Sequence, residues 1–361
     1  TRVYRNDAGT FTDINAGLQD LGFPGVAWGD YDNDGDLDAY MTNWGGPLGG
    51  VANRLYRHES DGTFTAITGQ PITDDVSVSL ASVWADFDND GDLDCYVGND
   101  GARQDRLYVN QGDGTFVADT STPVTTPLQA RRGACAGDYD NDGDVDLFVE
   151  GPATSRALYR NDDESNNGFL SVKLVGTTSN PSAIGAKVHV LATIGGNAVW
   201  QRRDISGQDS FNGHNDQRAH FGLGDATGVD SLYVEWPSGM ATSLGPLLPN
   251  QFLTVTEGAT SGVEEGQLAP RLSLDSAPNP FSDSSRIRWQ LAEVGPVTLT
   301  VHDATGRLVR TLVSAQAAQP GAFTTQWDGA DSHGRQVPAG VYLYRLEDGR
   351  AATTHTVVRV Q

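Results

Sequence analysis

Short runs rich in apolar residues punctuate the chain, each closed by Gly, Asp or Asn, and none extends into the i, i+3, i+4 recurrence of an amphipathic helix. GVAWG (25–29), ASVWA (81–85) and GACAG (133–137) are three such runs; AYMTN (39–43), CYVGN (95–99) and LFVEG (147–151) are their partners about ten residues on. Each is of strand length. Further along, Ile287, Trp289 and Leu291, then Val297, Leu299 and Val301, alternate with other residues as one buried face of a sandwich strand does. The pattern predicts an all-β chain. No apolar run reaches the roughly 18 residues of a membrane-spanning helix.

The runs recur at a fixed period. Tyr4, Tyr56, Tyr108 and Tyr159 stand 52, 52 and 51 residues apart, in RVYRN, RLYRH, RLYVN and ALYRN, and Gly-Thr-Phe returns at 9–11, 62–64 and 114–116. A unit of this length with four short strands has the arithmetic of a β-propeller blade. Aromatic residues at fixed places, among them Tyr56, Phe64 and Trp84, are then expected to supply contacts between blades. Three units are fewer than the usual minimum of about four blades. Three expectations follow: blades lie upstream, the strands after residue 165 complete the ring, or a neighbouring molecule does.

Charge narrows the partners. The net charge is -23, and residues 1–165 carry 30 acidic and 10 basic side chains while residues 166–361 carry 17 and 14. Such a field attracts cations and repels nucleic acid and anionic lipid, so neither is expected as a partner. The 24 basic residues are nearly all Arg, with only Lys173 and Lys187 as lysines. Cys95 and Cys135 form no zinc or C-x-x-C pattern and sit in neighbouring repeats; a disulfide and two buried thiols are both open. The chain opens at Thr1 without a signal peptide and reads as processed or as a fragment, which says nothing against secretion.

Half of the acidity of residues 1–165 lies in three runs: GDYDNDGDLD (29–38), ADFDNDGDLD (85–94) and GDYDNDGDVD (137–146). The spacing D-x-D-x-D-G-x-x-D places carboxylates at positions 1, 3, 5 and 9 of a tight loop. Calcium takes six to eight oxygens at about 2.3–2.6 Å and tolerates irregular geometry, whereas magnesium keeps more water. The side-chain ligands read from the spacing are Asp30, Asp32, Asp34 and Asp38; Asp86, Asp88, Asp90 and Asp94; and Asp138, Asp140, Asp142 and Asp146. Asp36, Asp92 and Asp144, at position 7, are expected to offer their carbonyls, their carboxylates adding only field. Gly35, Gly91 and Gly143 at position 6 allow the sharp turn. An EF-hand is excluded, because its position-12 glutamate would fall on Met41, Val97 and Val149. Three Ca2+ sites are expected.

With these loops the repeats resemble the FG-GAP/VCBS family of calcium-binding propeller repeats over residues 1–165. Residues 166–258, through GFLSVKLVGTTSNPSAIGAKVHV, AHFGLGDATGVDSLYVEWPSG and NQFLTVTEG, are similar to the ASPIC/UnbV domain that follows such repeats in cartilage acidic protein-like chains. GATSGVEEGQ (258–267) reads as a linker, placed at 259–270. Residues 271–361 resemble a FlgD-like immunoglobulin module and the type A sorting domains of type IX secretion, through APNPF, VTLTVHDATGRLVRTL, WDGADSHGRQVPAG and VYLYRL. The resemblance implies a propeller-like region, a β-rich middle domain and an Ig-like sandwich. It also implies export to the bacterial cell surface or the extracellular space.

No catalytic motif is present: G-x-S-x-G, H-E-x-x-H, a Walker loop and G-x-G-x-x-G are all missing. His214 and His220, with Asp209 and Asp216 nearby, are the only close histidine pair; they could bind a metal, but a polar turn before a strand accounts for them. The expectation is a secreted, calcium-binding, non-enzymatic surface protein with a structural or adhesive role. Self-association into a filament, tube or surface layer, or contact with another surface protein or glycan, is the partner expected. The alternative is a carbohydrate-binding module or a calcium-dependent polysaccharide lyase or hydrolase component.

Overall fold

The computed structural model describes residues 1–7, 9–19, 24–45, 50–101, 103–152, 155–163, 165–209, 211–258, 272–291, 295–304, 306–318, 321–348 and 352–360. The linker expected at 259–270 lies outside the described residues. The chain is all-β: among the described residues the one α-helix is a single turn, Pro71–Asp74. Two compact units form. The first comprises Thr1–Asp138, Asp144–Gly245 and Phe252–Thr260; the second comprises Tyr139–Gly143, Pro246–Gln251 and Ser261–Gln361.

Each repeat folds as an antiparallel meander. Pro24–Gly29, Asp38–Asn43, Arg54–His58 and Phe64–Ile67 make one four-stranded sheet in chain order. Ser79–Ala85, Asp94–Asn99, Arg106–Asn110 and Phe116–Asp119 make the second. Gly133–Gly137, Asp146–Glu150 and Ala157–Tyr159 make a three-stranded third. The register repeats with the sequence: Gly29 faces Asp38, Ala85 faces Asp94 and Gly137 faces Asp146, so every aspartate run is a hairpin loop closed by its own ninth residue. Tyr4–Asp7 and Thr10–Asp13 form a separate hairpin from the same RVYRN and GTF signals as the third and fourth strands of the unit.

Trp84, with Tyr108 and Phe116, packs between sheets as the period implied, whereas Tyr56 and Phe64 pack with Ala39, Met41 and Leu18. Tyr31 and Tyr40 from the first repeat join Trp84, Tyr108 and Phe116 from the second in one buried cluster. Trp84 stacks at 6.2 Å on Tyr31 and meets Tyr40 edge-on at 5.8 Å. A second cluster, including Val83, Tyr96, Ala134, Ala136 and Leu147, joins repeats two and three. The cysteines are unbonded. Cys95 lies in the first cluster, while Ala134 and Ala136 lie in the second, and strand alternation turns the intervening Cys135 to the other face.

The segment after the repeats forms two sheets. Ala219–Gly224, Gly168–Val175 and Gln251–Thr256 make one; Asn197–Asp204, Lys187–Ile194, Val229–Glu235 and Ala241–Leu244 make the other. Val188, Val190, Phe221, Leu232 and Val234 are wholly buried. The C-terminal unit is a seven-stranded sandwich. Leu272–Ala277, Ser285–Leu291 and Gly321–Trp327 form one sheet; Leu308–Ala318, Gly295–Asp303, Gly340–Glu347 and Ala352–Arg359 form the other. The alternation read from the sequence lies on the core side: Ile287, Trp289, Leu291, Val297, Leu299 and Val301 are all buried around Trp327.

Candidate metal centres

The aspartate loops owe their shape to two left-handed residues each. Asn33, Asn89 and Asn141 at position 4 take φ of 56°, 57° and 57°, and Gly35, Gly91 and Gly143 at position 6 take 93°, 105° and 93°. Asn tolerates this region better than other residues with a side chain, and Gly occupies it without steric cost. The coiled backbone presents amides to its own carboxylates. Gly35 N donates to Asp30 at 3.2 Å, and Gly91 N to Asp86 at 2.9 Å; Asp36 N and Asp92 N donate at 2.9 Å to Asp34 and Asp90.

Position 9 clamps each loop to the end of the third strand of its sheet or, in the third repeat, to a residue just beyond it. Asp38 accepts from His58 N at 2.8 Å, Asp94 from Asn110 N at 2.9 Å and Asp146 from Asn161 N at 2.8 Å. The other oxygens of Asp38 and Asp94 accept from Tyr31 N and Phe87 N at 3.2 and 3.1 Å.

Oxygens of Asp30, Asp32 and Asp38 converge to within 4.8 Å of one another, as do those of Asp86, Asp88 and Asp90, and those of Asp138, Asp140 and Asp146. The ligand set read from spacing is thus brought together in part: positions 1, 3 and 9 in the first and third loops, positions 1, 3 and 5 in the second. Asp34, Asp94 and Asp142 fall outside these triads. Within the first triad, Asp30 Oδ1 and Asp32 Oδ1 are buried and accept no hydrogen bond from the protein. Burial without a cation is costly for such groups: it pushes Asp30 up to about 7, with Arg203 pulling the other way, and Asp38 up to about 8. Asp88 is pushed up to about 6 by burial and by Asp90, and Asp86 and Asp94 are raised well above the usual carboxylate range. Converging carboxylate oxygens with orphaned lone pairs fit a hard cation, and calcium over the transition metals, which favour nitrogen and sulfur.

Position 7 departs from expectation. Its carboxylates are acceptors that link one loop to the next: Asn33 Nδ2 donates to Asp92 at 2.7 Å, and Asn89 Nδ2 to Asp144 at 3.1 Å. Asp144 also accepts from Asp163 N at 3.1 Å. Asn33 further donates to the Gly91 carbonyl at 3.2 Å. The signal was in the sequence, since Asn stands at position 4 of all three runs, but its partner is a full repeat away.

Sequence reasoning also missed the grip of the middle segment on these loops. Gly222 N donates to Asp86 at 3.0 Å, Gly224 N to the Asn89 carbonyl at 2.8 Å, and His220 Nε2 lies 2.7 Å from Asn89 Oδ1. Arg202 donates at 2.6 Å to the Gly35 carbonyl, the same loop position that Asn33 serves in the second loop. Arg218 reaches the Asp138 carbonyl at 2.5 Å. Among the described residues the histidine pair belongs to no close group of three metal-ligating side chains; His220, whose pKa burial drives down to about 3 with Arg203 and Arg218, faces Asn89, and His214 Nδ1 sits 2.5 Å from the Asn215 carbonyl. Asp209 accepts from Asn215 N and Asp216 pairs with Arg218 at 2.5 Å.

Comparison with known proteins divides the chain in the same order. An FG-GAP-like repeat matches residues 44–97 and 86–149, "ASPIC and UnbV" matches residues 176–262, and a FlgD Ig-like domain matches residues 277–351. The chain therefore carries FG-GAP-like repeats, an ASPIC/UnbV domain and a FlgD Ig-like domain. Among individual proteins it is similar to cartilage acidic protein 1. Over 252 residues it is 31% identical to the Homo sapiens protein, covering 65% of this chain and 36% of that one. Against the Xenopus tropicalis protein it is 30% identical over 248 residues, covering 64% and 37%. The chain spans little more than a third of the length of these relatives. PorZ, a bacterial surface component of the type IX secretion system of Porphyromonas gingivalis, superposes with a TM-score of 0.25 at 13% identity, covering 98% of this chain and 54% of that one. A superposition that loose bears on neither fold nor role.

Proposed function

We propose that this chain is a secreted bacterial surface protein whose FG-GAP-like region is held together by calcium at three loops, and whose role is structural or adhesive. The observation that carries the reading is the first loop, where Asp30, Asp32 and Asp38 converge and two buried oxygens accept nothing from the protein. The proposed ligands are the aspartates at positions 1, 3, 5 and 9 of each run. Extracellular modules of this kind bind calcium at about 0.1–1 mM, a concentration met outside cells. That dependence, with the sorting-type likeness of the C-terminal domain, supports the cell surface or the extracellular space as its location. Among the described residues no helix is long and apolar enough to cross a membrane.

The role proposed is a non-enzymatic subunit of an extracellular assembly, partnered by further copies, another surface protein or a glycan. Among the described residues the close groups of three or more metal-ligating side chains are the three aspartate triads, and none contains histidine or cysteine. Electron microscopy of the purified chain with calcium and with excess EGTA tests the assembly: ordered polymers only with calcium are expected, and dispersed monomers in both conditions would remove it. Release of reducing ends from polysaccharide would overturn the non-enzymatic reading.

A further inference from the structure

The first two position-4 asparagines stand between proposed ligands and reach out of their own loops. Asn33 lies between Asp32 and Asp34, and Asn89 between Asp88 and Asp90. The left-handed φ of 56° and 57° at these residues coils the backbone on both sides of them. One local conformation therefore sets the direction of the asparagine and of the two carboxylates that flank it.

The landing points of the asparagines are the backbone that holds the next set of ligands. Asn33 Nδ2 donates to Asp92 at 2.7 Å and to the Gly91 carbonyl at 3.2 Å. The amides of those same two residues grip the second loop: Gly91 N donates to Asp86 and Asp92 N to Asp90, both at 2.9 Å. Asp86 and Asp90 are two of the three carboxylates that converge there. A single side chain thus joins the ligands of the first loop to those of the second. The next step is similar. Asn89 Nδ2 donates at 3.1 Å to Asp144, which precedes Asp146 of the third triad by two residues and also accepts from Asp163 N at 3.1 Å. Asn89 and Asp144 are only 1% and 3% exposed, so water competes little for this link. The middle segment steadies Asn89 from another side, through Gly224 N on its carbonyl at 2.8 Å and His220 Nε2 at 2.7 Å from its Oδ1. The second loop receives one link and sends the other.

Ordering a loop of clustered carboxylates costs conformational entropy and sets like charges together. Loops joined in this way share that cost, because setting the ligands of one also sets the residues that hold the ligands of the next. We infer that the three loops take up calcium cooperatively, with Asn33 and Asn89 as positioning residues that pass the order of one loop to its neighbour. This coupling rests on the calcium reading of the loops, and experiment separates the two.

Isothermal titration of the full chain with calcium chloride, after stripping with EGTA and exchange into chelator-free buffer, tests it. Folding of the whole unit on binding would by itself make uptake cooperative, so the deciding readout is specific to one link. Asp32→Asn, which weakens the first loop, should weaken binding of the remaining two ions by at least about fivefold, the low end of typical coupling between sites. In an Asn33→Gly background, which keeps the left-handed turn and removes the amide, the same Asp32→Asn change should leave those two ions unaffected. Asp92→Ala removes the acceptor at the other end of the link; it should uncouple the loops as Asn33→Gly does, and the two together should uncouple them no further. An equal loss from Asp32→Asn in all backgrounds would place the coupling in folding as a whole and overturn the role of the asparagines. Binding of three ions with no loss from Asp32→Asn in the parent would overturn the coupling and leave the calcium sites standing, whereas no calcium bound by the parent would overturn both.

Discussion

The two compact units bury side chains on different terms. The C-terminal sandwich closes on a continuous apolar core in which Ile287, Leu291, Val297, Leu299, Val301 and Trp327 are completely buried, and Trp327 Nε1 has its acceptor in the Ala330 carbonyl at 2.9 Å. The first unit buries Asp30, Asp38, Asp86, Asp94, Asp138, Asp144 and Asp146 alongside its aromatic clusters. A sandwich of this kind draws its stability from apolar burial. A propeller region built this way has a standing electrostatic cost, because clustered carboxylates in low dielectric resist ionisation until a cation offsets them. The same unit shows the alternative solution. Glu257 is also buried, but it accepts from the backbone amides of Thr177, Thr178 and Ser179 at 2.7–2.8 Å and from the hydroxyls of Ser179 and Ser238. Although burial works to raise it, these hydrogen bonds hold Glu257 down at about 2. A carboxylate surrounded by protein donors ionises readily without a metal; one packed among other carboxylates resists ionisation.

Chelation should separate the units most. With calcium at about 100 times its dissociation constant each site adds about 2.7 kcal/mol to the folded state, so three add about 8 kcal/mol. In differential scanning calorimetry with excess EGTA the transition of the first unit should fall sharply while that of the C-terminal unit stays in place; a single unchanged melt would sink the structural-calcium reading. Trp327→Ala should do the converse, costing about 3–5 kcal/mol in the sandwich whether calcium is present or not. Gly222→Ala comes next. A Cβ there would overlap Asp86 Oδ2 and the Asn89 backbone, so the variant should lose about 1–3 kcal/mol and bind calcium more weakly by titration. Asn89→Ala removes a bond between successive loops and should cost about 1 kcal/mol, read from urea melts in calcium.

The last effect is confined to acid. Because Glu257 titrates lower in the folded state than in the unfolded chain, its contribution is present above about pH 4.5 and is lost as pH falls towards 2. Melting temperatures of Glu257→Gln and the parent should therefore converge on acidification over that window. Parallel profiles down to pH 2 would show that Glu257 titrates alike in the folded and unfolded chain.

The loops, their period and the strands flanking them were legible because each is a local pattern. Asp30 to Asp38 close a hairpin within nine residues, and Val297, Leu299 and Val301 declare a face by alternation alone. Two things were legible but not read out. Position 4 went without a role, although Asn33 and Asn89 coil the loop and reach the next one, and the carboxylates of position 7 were credited with field only, although Asp92 and Asp144 receive those reaches. The cysteines were undecidable from spacing, since whether two strand residues meet depends on which face of each sheet they occupy.

The sequence by itself determined the all-β class, the 52-residue unit and the carboxylate spacing, because strand periodicity and loop chelation are set by residues a few positions apart. Tertiary structure decided which oxygens converge, that Asn33 and Asp92 meet across 59 residues, and that Gly222 caps Asp86 across 136 and Arg202 caps the first loop across 167. Those contacts depend on the register and orientation of whole sheets packed against one another. No local pattern encodes that packing, and it is what makes the middle segment part of the candidate metal centres.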